Sequence, residues 1–496
     1  MTNPALDAFL SHGRSDAPFL RLEDGTAWSH AAFAARAGRL AAVLADRGLQ
    51  PGDRVAMQVA KQPDALTLYA ACLHGGFVVL PLNTAYTPAE LDHFLGDSEA
   101  AILVTDPDPA EALRDCARRA GARAVPLEDL MADAEGAAVP APATRREDDL
   151  AAILYTSGTT GRSKGAMLTH ANLVSNARAL AEAWRWSADD VLIHALPVFH
   201  THGLFVATNV TLAAGASMAF LPRFDPDAIM AAMPGATAMM GVPTFYVRLL
   251  DDPRLTSEAV AHMRLFVSGS APLLAETHRR WEARTGHRIL ERYGMTETNM
   301  NTSNPYEGER RPGTVGMPLP GVEVRVTDGD RAPLPPGETG GIEVRGPNVF
   351  RGYWKMPDKT AEELDAEGWF LTGDLGVFSD DGYLSIVGRA KDLVISGGYN
   401  VYPVEVEAAL DDLPGVAESA VIGVPHPDMG EAVMAVVVPE AGASVEAEAL
   451  RAALADRLAR FKQPRAVEVV DALPRNAMGK VQKAELRRRF AGAFDG

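Results

Sequence analysis

The stretch Tyr155-Thr-Ser-Gly-Thr-Thr-Gly-Arg-Ser-Lys-Gly165 decides the fold of this chain, because it combines glycines, hydroxyl residues and one lysine, Lys164. It follows the apolar segment Leu150-Ala-Ala-Ile-Leu154, which predicts a short buried strand, and it precedes a helical pattern with Thr169 as N-cap. Glycines let backbone N–H groups turn toward an anion, while hydroxyls and a lysine add donors and charge. The order strand, loop, helix therefore predicts a phosphate-binding loop rather than an ordinary surface loop.

The loop differs from the Walker A sequence, which places lysine directly after glycine and before serine or threonine. Here Ser163 precedes Lys164 and Gly165 follows it. The lysine cannot occupy the Walker A position, so the sequence disfavours a P-loop kinase or NTPase.

Length and composition narrow the class of protein. The 496 residues predict more than one domain, and the formal net charge of −18 disfavours a nucleic-acid backbone or an anionic membrane as the main partner. Cys72 and Cys116 have no metal or redox spacing. The uncharged run between Asp190 and Arg223 contains histidines, a proline and glycines, which favour a buried core over a membrane span. Because nothing resembles a signal peptide, we expect a cytoplasmic protein.

Strand and helix patterns alternate on both sides of the loop. One series runs through residues 54–105 and a second through 191–268. Such alternation predicts βαβ units in parallel sheets, which collect ligands at the carboxyl ends of their strands. We therefore expect the loops 156–165, 200–203 and 268–272 to converge.

The composition of the sequence changes after Pro312, where glycine and proline become frequent and the pattern predicts short strands. A compact α/β module follows the segment Arg389–Asp392. The sequence thus predicts an α/β protein with an N-terminal domain of parallel sheets plus a β-rich subdomain, residues 1–390, and a C-terminal domain, residues 391–496.

Three more motifs follow the loop in order: Arg292-Tyr-Gly-Met-Thr-Glu297, Leu371-Thr-Gly-Asp374 and Leu473-Pro-Arg-Asn-Ala-Met-Gly-Lys480. Alone, each has a plain structural interpretation as a helix cap, a turn cap or a solvated lysine. In series with the loop, they resemble the adenylate-forming enzymes, which comprise acyl-CoA synthetases, stand-alone adenylation domains and luciferases.

This resemblance implies ATP and CoA as co-substrates, Mg²⁺ as cofactor and a small, mobile α+β C-terminal domain that rotates. The catalytic residues would be Lys480, Glu297 and Thr296, with Glu297 as the Mg²⁺ ligand. The phosphates would be held by Thr156, Ser157, Gly158, Thr159, Thr160, Gly161 and Lys164. The adenine and ribose would be bound by Ser270, Ala271, Tyr293, Asp374 and Arg389. The CoA tunnel would be formed by Gly397, Gly398 and Tyr399, and the hinge by Lys391.

The segments 193–204, 241–246 and 293–304 resemble malonyl-CoA synthetases most closely, which implies malonate as substrate and methylmalonate as a tolerated one. Arg248 would then bind the distal carboxylate, because a dicarboxylate needs a cation at the far end of its pocket. The acid would be held by His200, Arg248, Ser268, Gly269 and Met295. His202 is expected to be a hydrogen-bonded core histidine.

Two other interpretations remain at this point. The chain could adenylate another short or aromatic carboxylic acid, or it could be a non-catalytic nucleotide-binding protein on the same fold. The presence of Lys480, Glu297 and Asp374 together argues against the second. Lys480 is also a candidate target of a lysine acetyltransferase, since acetylation would remove its charge.

Overall fold

The computed structural model describes residues 2–11, 15–106, 111–156, 163–396, 399–427, 429–455, 457–476 and 479–494. The chain forms two compact units. The first comprises Met1–Leu273, Thr277–Val324 and Val344–Phe370, and the second comprises Leu274–Glu276, Arg325–Glu343 and Leu371–Gly496. Within the described residues, no helix is long and apolar enough to span a bilayer. The predicted domain boundary at Lys391 stays a prediction.

The α-helices of the described residues are α1 Pro4–Leu10, α2 His30–Asp46, α3 Pro63–Gly75, α4 Pro88–Ser98, α5 Glu111–Arg119, α6 Leu127–Ala134, α7 His170–Ala183, α8 Asn209–Ala213, α9 Pro226–Ala232, α10 Pro243–Leu250, α11 Ser257–Val260, α12 Ala275–Thr285, α13 Pro357–Glu363, α14 Pro403–Asp411, α15 Ala447–Leu454 and α16 Lys483–Arg489.

The strands are β1 Pro18–Arg21, β2 Ala27–Ser29, β3 Arg54–Gln58, β4 Val78–Pro81, β5 Ala100–Thr105, β6 Arg123–Pro126, β7 Leu150–Thr156, β8 Lys164–Thr169, β9 Val191–His194, β10 Ser217–Phe220, β11 Ala238–Gly241, β12 Leu265–Ser268, β13 Leu290–Met295, β14 Asn299–Ser303, β15 Met317–Pro318, β16 Glu323–Thr327, β17 Gly340–Arg345, β18 Phe370–Phe378, β19 Leu384–Arg389, β20 Val394–Ser396, β21 Tyr399–Val401, β22 Val416–His426, β23 Gly430–Pro439 and β24 Ala466–Val469.

The first unit contains two large sheets. One has the strand order β6-β5-β3-β4-β7-β8, and the other has the order β15-β14-β13-β12-β11-β9-β10-β1-β2. The central strands of both run parallel, as the alternating pattern predicts. These strands are buried almost throughout, because helices cover a parallel sheet on both faces. The predicted α/β class is confirmed.

The stretch that opened the sequence analysis joins two antiparallel strands, β7 and β8, rather than a strand and a helix. The predicted order of strand, loop and helix is therefore wrong, because the additional strand β8 lies between the loop and the helix. The close packing of Gly165 explains the extra strand: a Cβ there would lie 2.9 Å from Ile153 Cγ2 on the paired strand. The helix follows as α7, and Thr169 caps it as predicted, with its Oγ1 accepting from the Asn172 N–H at 3.2 Å.

The chain between β9 and β10 is helical but not regular. Residues Thr201–Thr208 form a π-helix that continues directly into α8. Gly203 belongs to this segment, and a Cβ there would lie 2.0 Å from the carbonyl oxygen of Pro197. π-Helical segments are rare and are often found at functional sites. Here the segment begins directly after His200.

The second unit is built of short helices and of sheets in which β18 and β19, and β22 and β23, pair antiparallel, whereas β24 pairs with β23 in parallel. One sheet has the order β16-β17-β18-β19, and the other has the order β21-β20-β23-β22, with β24 beside β23. Valines and leucines of β22, β23, α14 and α15 form its core. This arrangement agrees with the predicted α+β class of the C-terminal domain.

Candidate active site

The lysine of the phosphate loop lies among aromatic and acidic side chains. Lys164 is the first residue of β8, and its Nζ lies 3.4 Å from Glu363 Oε1 and 4.0 Å from the centre of the Tyr353 ring. Thr156 Oγ1 donates to the carbonyl of Lys164 at 3.5 Å. The other predicted loop residues, Ser157, Gly158, Thr159, Thr160 and Gly161, lie outside the described residues.

The predicted magnesium ligand follows the β13 strand. Glu297 is 5% exposed, and its Oε1 lies 3.0 Å from the Tyr353 hydroxyl oxygen. Burial raises the pKa of this carboxyl group above its ordinary value. Thr296, beside it, is half-buried. Among the described residues no cluster of three metal-ligating side chains occurs. A single carboxylate still fits Mg²⁺, which is usually bound by one or two carboxylates together with phosphate oxygens.

The predicted adenine loop contains a strained residue. Ser270 has a φ of 71°, in the left-handed region that non-glycine residues rarely adopt. Its Oγ lies 3.2 Å from His202 Nδ1, so the strained turn is tied to the π-helix. Ala271, the next residue, is half-buried, and so is Tyr293 in β13. Backbone strain of this kind is typical of ligand-binding turns.

A buried guanidinium lies beside this loop. Arg292, in β13, is 4% exposed, and its Nε and Nη2 have no hydrogen-bond partner among the residues that the structure describes. Ser268, at the end of β12, is buried, and its Oγ also lacks a partner within that set. Gly269 makes room for the cation, because a Cβ there would lie 2.4 Å from Arg292 Cζ. Buried donors without acceptors are costly, so this arrangement suits an anionic ligand.

The imidazole of His202 is close to the Arg292 guanidinium. Burial, followed by the nearby charge of Arg292, holds the pKa of His202 well below its ordinary value, so the imidazole is neutral at pH 7. The Ser270 hydroxyl lies 3.2 Å from Nδ1, whereas Nε2, on the other side of the ring, has no hydrogen-bond partner in the described part of the chain. Burial lowers the pKa of Arg292 to about 9, which leaves the guanidinium charged. The expectation that His202 is buried and hydrogen-bonded agrees with this geometry, although its Nε2 is unpaired within the described residues.

The other residues predicted for the acid site have different surroundings. Arg248, in α10, is exposed, and its Cζ lies 5.7 Å from the centre of the Phe224 ring. His200 is half-buried at the start of the π-helix. Met295 is half-buried at the end of β13, opposite Asn299. The described contacts thus place Gly269 and His202 beside Arg292 rather than beside Arg248, while Ser268 is paired in register with Glu291, the residue before Arg292.

The second unit carries the remaining predicted residues. Asp374 and Arg389 are paired in register on β18 and β19, and Arg389 Nε lies 3.0 Å from Asp374 Oδ1. Lys391 is in a 3₁₀ turn that directly follows β19. Tyr399 is 60% exposed and stacks on Phe461, with the ring centres 4.8 Å apart. Gly397 and Gly398 lie outside the described residues.

The predicted catalytic lysine is exposed on the second unit. The backbone N–H of Lys480 donates to Asn476 Oδ1 at 3.0 Å, and Arg475 binds the carbonyl of Gly479. Arg475 also forms an ion pair with Glu418 of β22. These contacts anchor the segment that presents Lys480 to the antiparallel sheet.

Sequence reasoning missed three residues of this site: Arg292, Tyr353 and Glu363. Arg292 stands at the start of a motif that was recognised, but its burial follows from the neighbours of β13, which the sequence does not show. Tyr353 and Glu363 lie in and after the segment Arg351-Gly-Tyr-Trp354. The sequence signal that could have identified this segment is the aromatic pair Tyr353-Trp354 directly after a glycine.

Comparison with known proteins assigns the chain to a family. The model of the AMP-binding enzyme family matches residues 10–354, and that of the AMP-binding enzyme C-terminal domain matches residues 405–480. A feruloyl-CoA synthase of Amycolatopsis is 40% identical over 94% of each chain. A malonate–CoA ligase of Arabidopsis thaliana is 37% identical over 83% of this chain and 74% of its own length.

A solved structure agrees with these relatives. The crystal structure of ATP-bound MatB from Rhodopseudomonas palustris is 56% identical, covers 99% of both chains and superposes with a TM-score of 0.97. The conserved order of domains and the fold lead to one conclusion: this chain belongs to the AMP-binding enzyme family.

Proposed function

We propose that this protein is an ATP-dependent malonate:CoA ligase that acts through a malonyl-adenylate. The observation that carries the proposal is the buried guanidinium of Arg292, whose Nε and Nη2 have no partner among the described residues and which lies near the neutral imidazole of His202. A monocarboxylic acid leaves no anion for this cation once its own carboxylate is adenylated. A dicarboxylic acid supplies one, which a planar guanidinium binds strongly.

The relatives support the same substrate class. Malonate–CoA ligases from Arabidopsis thaliana and Homo sapiens are 37% and 36% identical to the chain. The second candidate function is ligation of an aromatic acid, which the 40% identical feruloyl-CoA synthase favours. Ferulate has a single carboxylate, so it would leave the Arg292 cation buried and unpaired. We therefore prefer malonate, with methylmalonate as a further substrate.

In the first half-reaction, a malonate carboxylate oxygen attacks the α-phosphorus of ATP, and pyrophosphate leaves. Thr156, Lys164 and the rest of the phosphate loop would hold the departing phosphates, while Thr296 donates to the α-phosphate. Glu297 would hold Mg²⁺, which offsets the negative charge of the phosphates. Lys480 would bring a second cation to the α-phosphate oxygens. Asp374 and Arg389 would bind the ribose.

In the second half-reaction, the CoA thiolate attacks the malonyl carbonyl, and AMP leaves. We propose that the C-terminal domain rotates about Lys391 between the two steps. Tyr399, with Gly397 and Gly398, would then line the path of the pantetheine chain. Each of these roles rests on the resemblance to adenylate-forming enzymes and on the chemistry of the side chain.

Two variants decide which guanidinium binds the distal carboxylate. We expect Arg292→Met to lower kcat/KM for malonate by roughly 100-fold or more, because the loss of a buried charge-assisted pair costs about 3 kcal/mol. We expect Arg248→Ala to lower it by less than about threefold, because that side chain is exposed. The measurement is CoA-dependent AMP release with malonate, methylmalonate, acetate and ferulate. The reverse ranking of the two variants would assign the carboxylate to Arg248, and preference of the parent protein for ferulate would overturn the malonate proposal.

A further inference from the structure

A carboxylate occupies the position next to the phosphate-loop lysine. Glu363 Oε1 lies 3.4 Å from Lys164 Nζ, and the two side chains are only 20% and 16% exposed. The Tyr353 ring lies 4.0 Å from the same ammonium group. The cation that the proposed function assigns to the β- and γ-phosphates of ATP is therefore already paired with an anion of the chain.

Glu363 is held in this position by several contacts. Tyr353 donates its hydroxyl to Glu363 Oε2 at 2.7 Å, and Lys359 Nζ lies 2.9 Å from Oε1. Thr360 Oγ1 accepts from the Tyr353 N–H at 2.9 Å, which joins the start of α13 to the segment that carries the tyrosine. The carboxylate is thus a built part of the site rather than a side chain in solvent.

An ion pair in this place competes with the polyphosphate. A lysine can move its ammonium between two anions, since its stem has four flexible carbons. When the phosphates bind, Lys164 must leave Glu363, and when pyrophosphate departs, the cation would otherwise stay half-buried without an anion. Because the ion pair must be broken when the polyphosphate binds, the free energy of the pair is subtracted from the binding free energy of the incoming anion.

We propose that Glu363 is the resting counter-ion of Lys164, which the polyphosphate displaces and which returns to the lysine as pyrophosphate leaves. Glu363 is then a positioning residue that limits the affinity for pyrophosphate and promotes its release. This inference rests on the proposed function only for the role of Lys164 as a phosphate ligand.

The test compares two neighbouring glutamates of α13, Glu363 and Glu362. Glu363→Gln removes the pair with Lys164, whereas Glu362→Gln removes the same charge from a side chain that is 63% exposed and pairs with Lys359 at 2.7 Å. By calorimetry with inorganic pyrophosphate at a fixed magnesium concentration, we expect Glu363→Gln to bind roughly three- to tenfold more tightly than the parent. We expect Glu362→Gln to change the affinity by less than twofold, about the effect of an exposed charge.

A double-mutant cycle identifies the partner. In a Lys164→Met background, the gain from Glu363→Gln should shrink to the effect of Glu362→Gln. Equal effects of the two glutamine variants, weaker binding by Glu363→Gln, or a gain that persists without Lys164 would each overturn the proposal. Thermal melting of every variant identifies misfolding, and Glu363→Asp, whose shorter side chain reaches less far toward Lys164, should give an intermediate gain.

The readout separates this proposal from the proposed function. Pyrophosphate binding requires neither malonate nor CoA. If the protein formed no malonyl-CoA but Glu363→Gln still bound pyrophosphate more tightly, the counter-ion role would stand and the substrate assignment would fall.

Discussion

Gly269 controls the position of the Arg292 guanidinium. We expect Gly269→Ala to raise the KM for malonate by about tenfold or more, because the added methyl would lie 2.4 Å from Arg292 Cζ and must displace it. The matched control is Gly235→Ala, whose added methyl would meet no atom within 4 Å. Steady-state kinetics with malonate as the varied substrate measure both variants. An unchanged KM in Gly269→Ala would mean that the guanidinium does not contact the acid.

At the scale of residues, the sequence indicated which side chains could carry chemistry, but it did not indicate which of them are buried. The motif that contains Glu297 made it a candidate oxygen ligand of Mg²⁺, and this role stays a prediction; the structure adds that the carboxyl group is buried. Arg292 was missed, although it belongs to the same motif, because burial on a strand depends on the elements that cover it. The exposed position of Arg248 could not be read from the sequence for the same reason.

A buried ion pair joins three neighbouring elements of the large sheet. Asp190, just before β9, accepts hydrogen bonds from Arg264 Nε at 2.6 Å and Nη2 at 2.7 Å, and from Thr237 Oγ1 at 2.7 Å. Arg264 directly precedes β12, and Thr237 directly precedes β11. The pair therefore joins the amino ends of strands at whose carboxyl ends the proposed acid site lies.

Removal of this carboxylate should destabilise the first unit. We expect Asp190→Asn to lower the free energy of unfolding by about 3 kcal/mol, since it leaves the Arg264 cation half-buried without its anion. The control is Asp189→Asn, at an exposed neighbour, which should cost less than about 0.5 kcal/mol. Denaturant titration at pH 7 gives both values.

The same pair predicts a pH dependence. Burial alone would raise the pKa of Asp190, but hydrogen bonds from Arg264 and Thr237 outweigh it and hold the pKa below its ordinary value. A lowered pKa in the folded state means that the contribution to stability is complete above the unfolded-state pKa of about 4 and is lost as the pH falls below it. The difference in unfolding free energy between the parent and Asp190→Asn should therefore shrink below about pH 4.

At the scale of elements, periodicity predicted the parallel strands well, because a strand that is buried on both faces has a continuous apolar sequence. The π-helix after His200 and the β8 strand after the phosphate loop could not be predicted in this way. Both involve close contacts that leave no room for a Cβ, at Gly203 against the backbone of Pro197 and at Gly165 against the side chain of Ile153.

The proposed function assigns different residues to the two half-reactions. We expect Lys480→Ala to lower malonate-dependent pyrophosphate release by roughly 100-fold, because it removes a cation that offsets charge at the α-phosphate. Acetylation of Lys480 by a lysine acetyltransferase should have the same effect and leave ATP binding intact. Lys483→Met, which removes a nearby cation that pairs with Glu407 at 2.6 Å, should retain adenylation.

We expect Lys391→Pro to have the complementary effect. Proline fixes φ at this turn, so it should retain pyrophosphate release and prevent formation of malonyl-CoA if the domain rotates there. Separate assays of pyrophosphate release and thioester formation measure the two steps. Equal loss of both activities in Lys391→Pro would argue against a hinge at this residue. The sequence predicted a smaller C-terminal module from its change in composition, whereas a hinge is a property of motion that composition does not encode.

The unpaired guanidinium of Arg292 also affects how this protein can evolve. A buried cation without an anion destabilises the fold, so Arg292→Met should melt at a higher temperature than the parent while it loses the dicarboxylate. Selection for stability alone would then favour loss of the arginine. The preference for a dicarboxylic acid must be maintained by continuous selection on activity. In lineages that no longer need it, replacement of the arginine would stabilise the fold and favour acids without a second carboxylate.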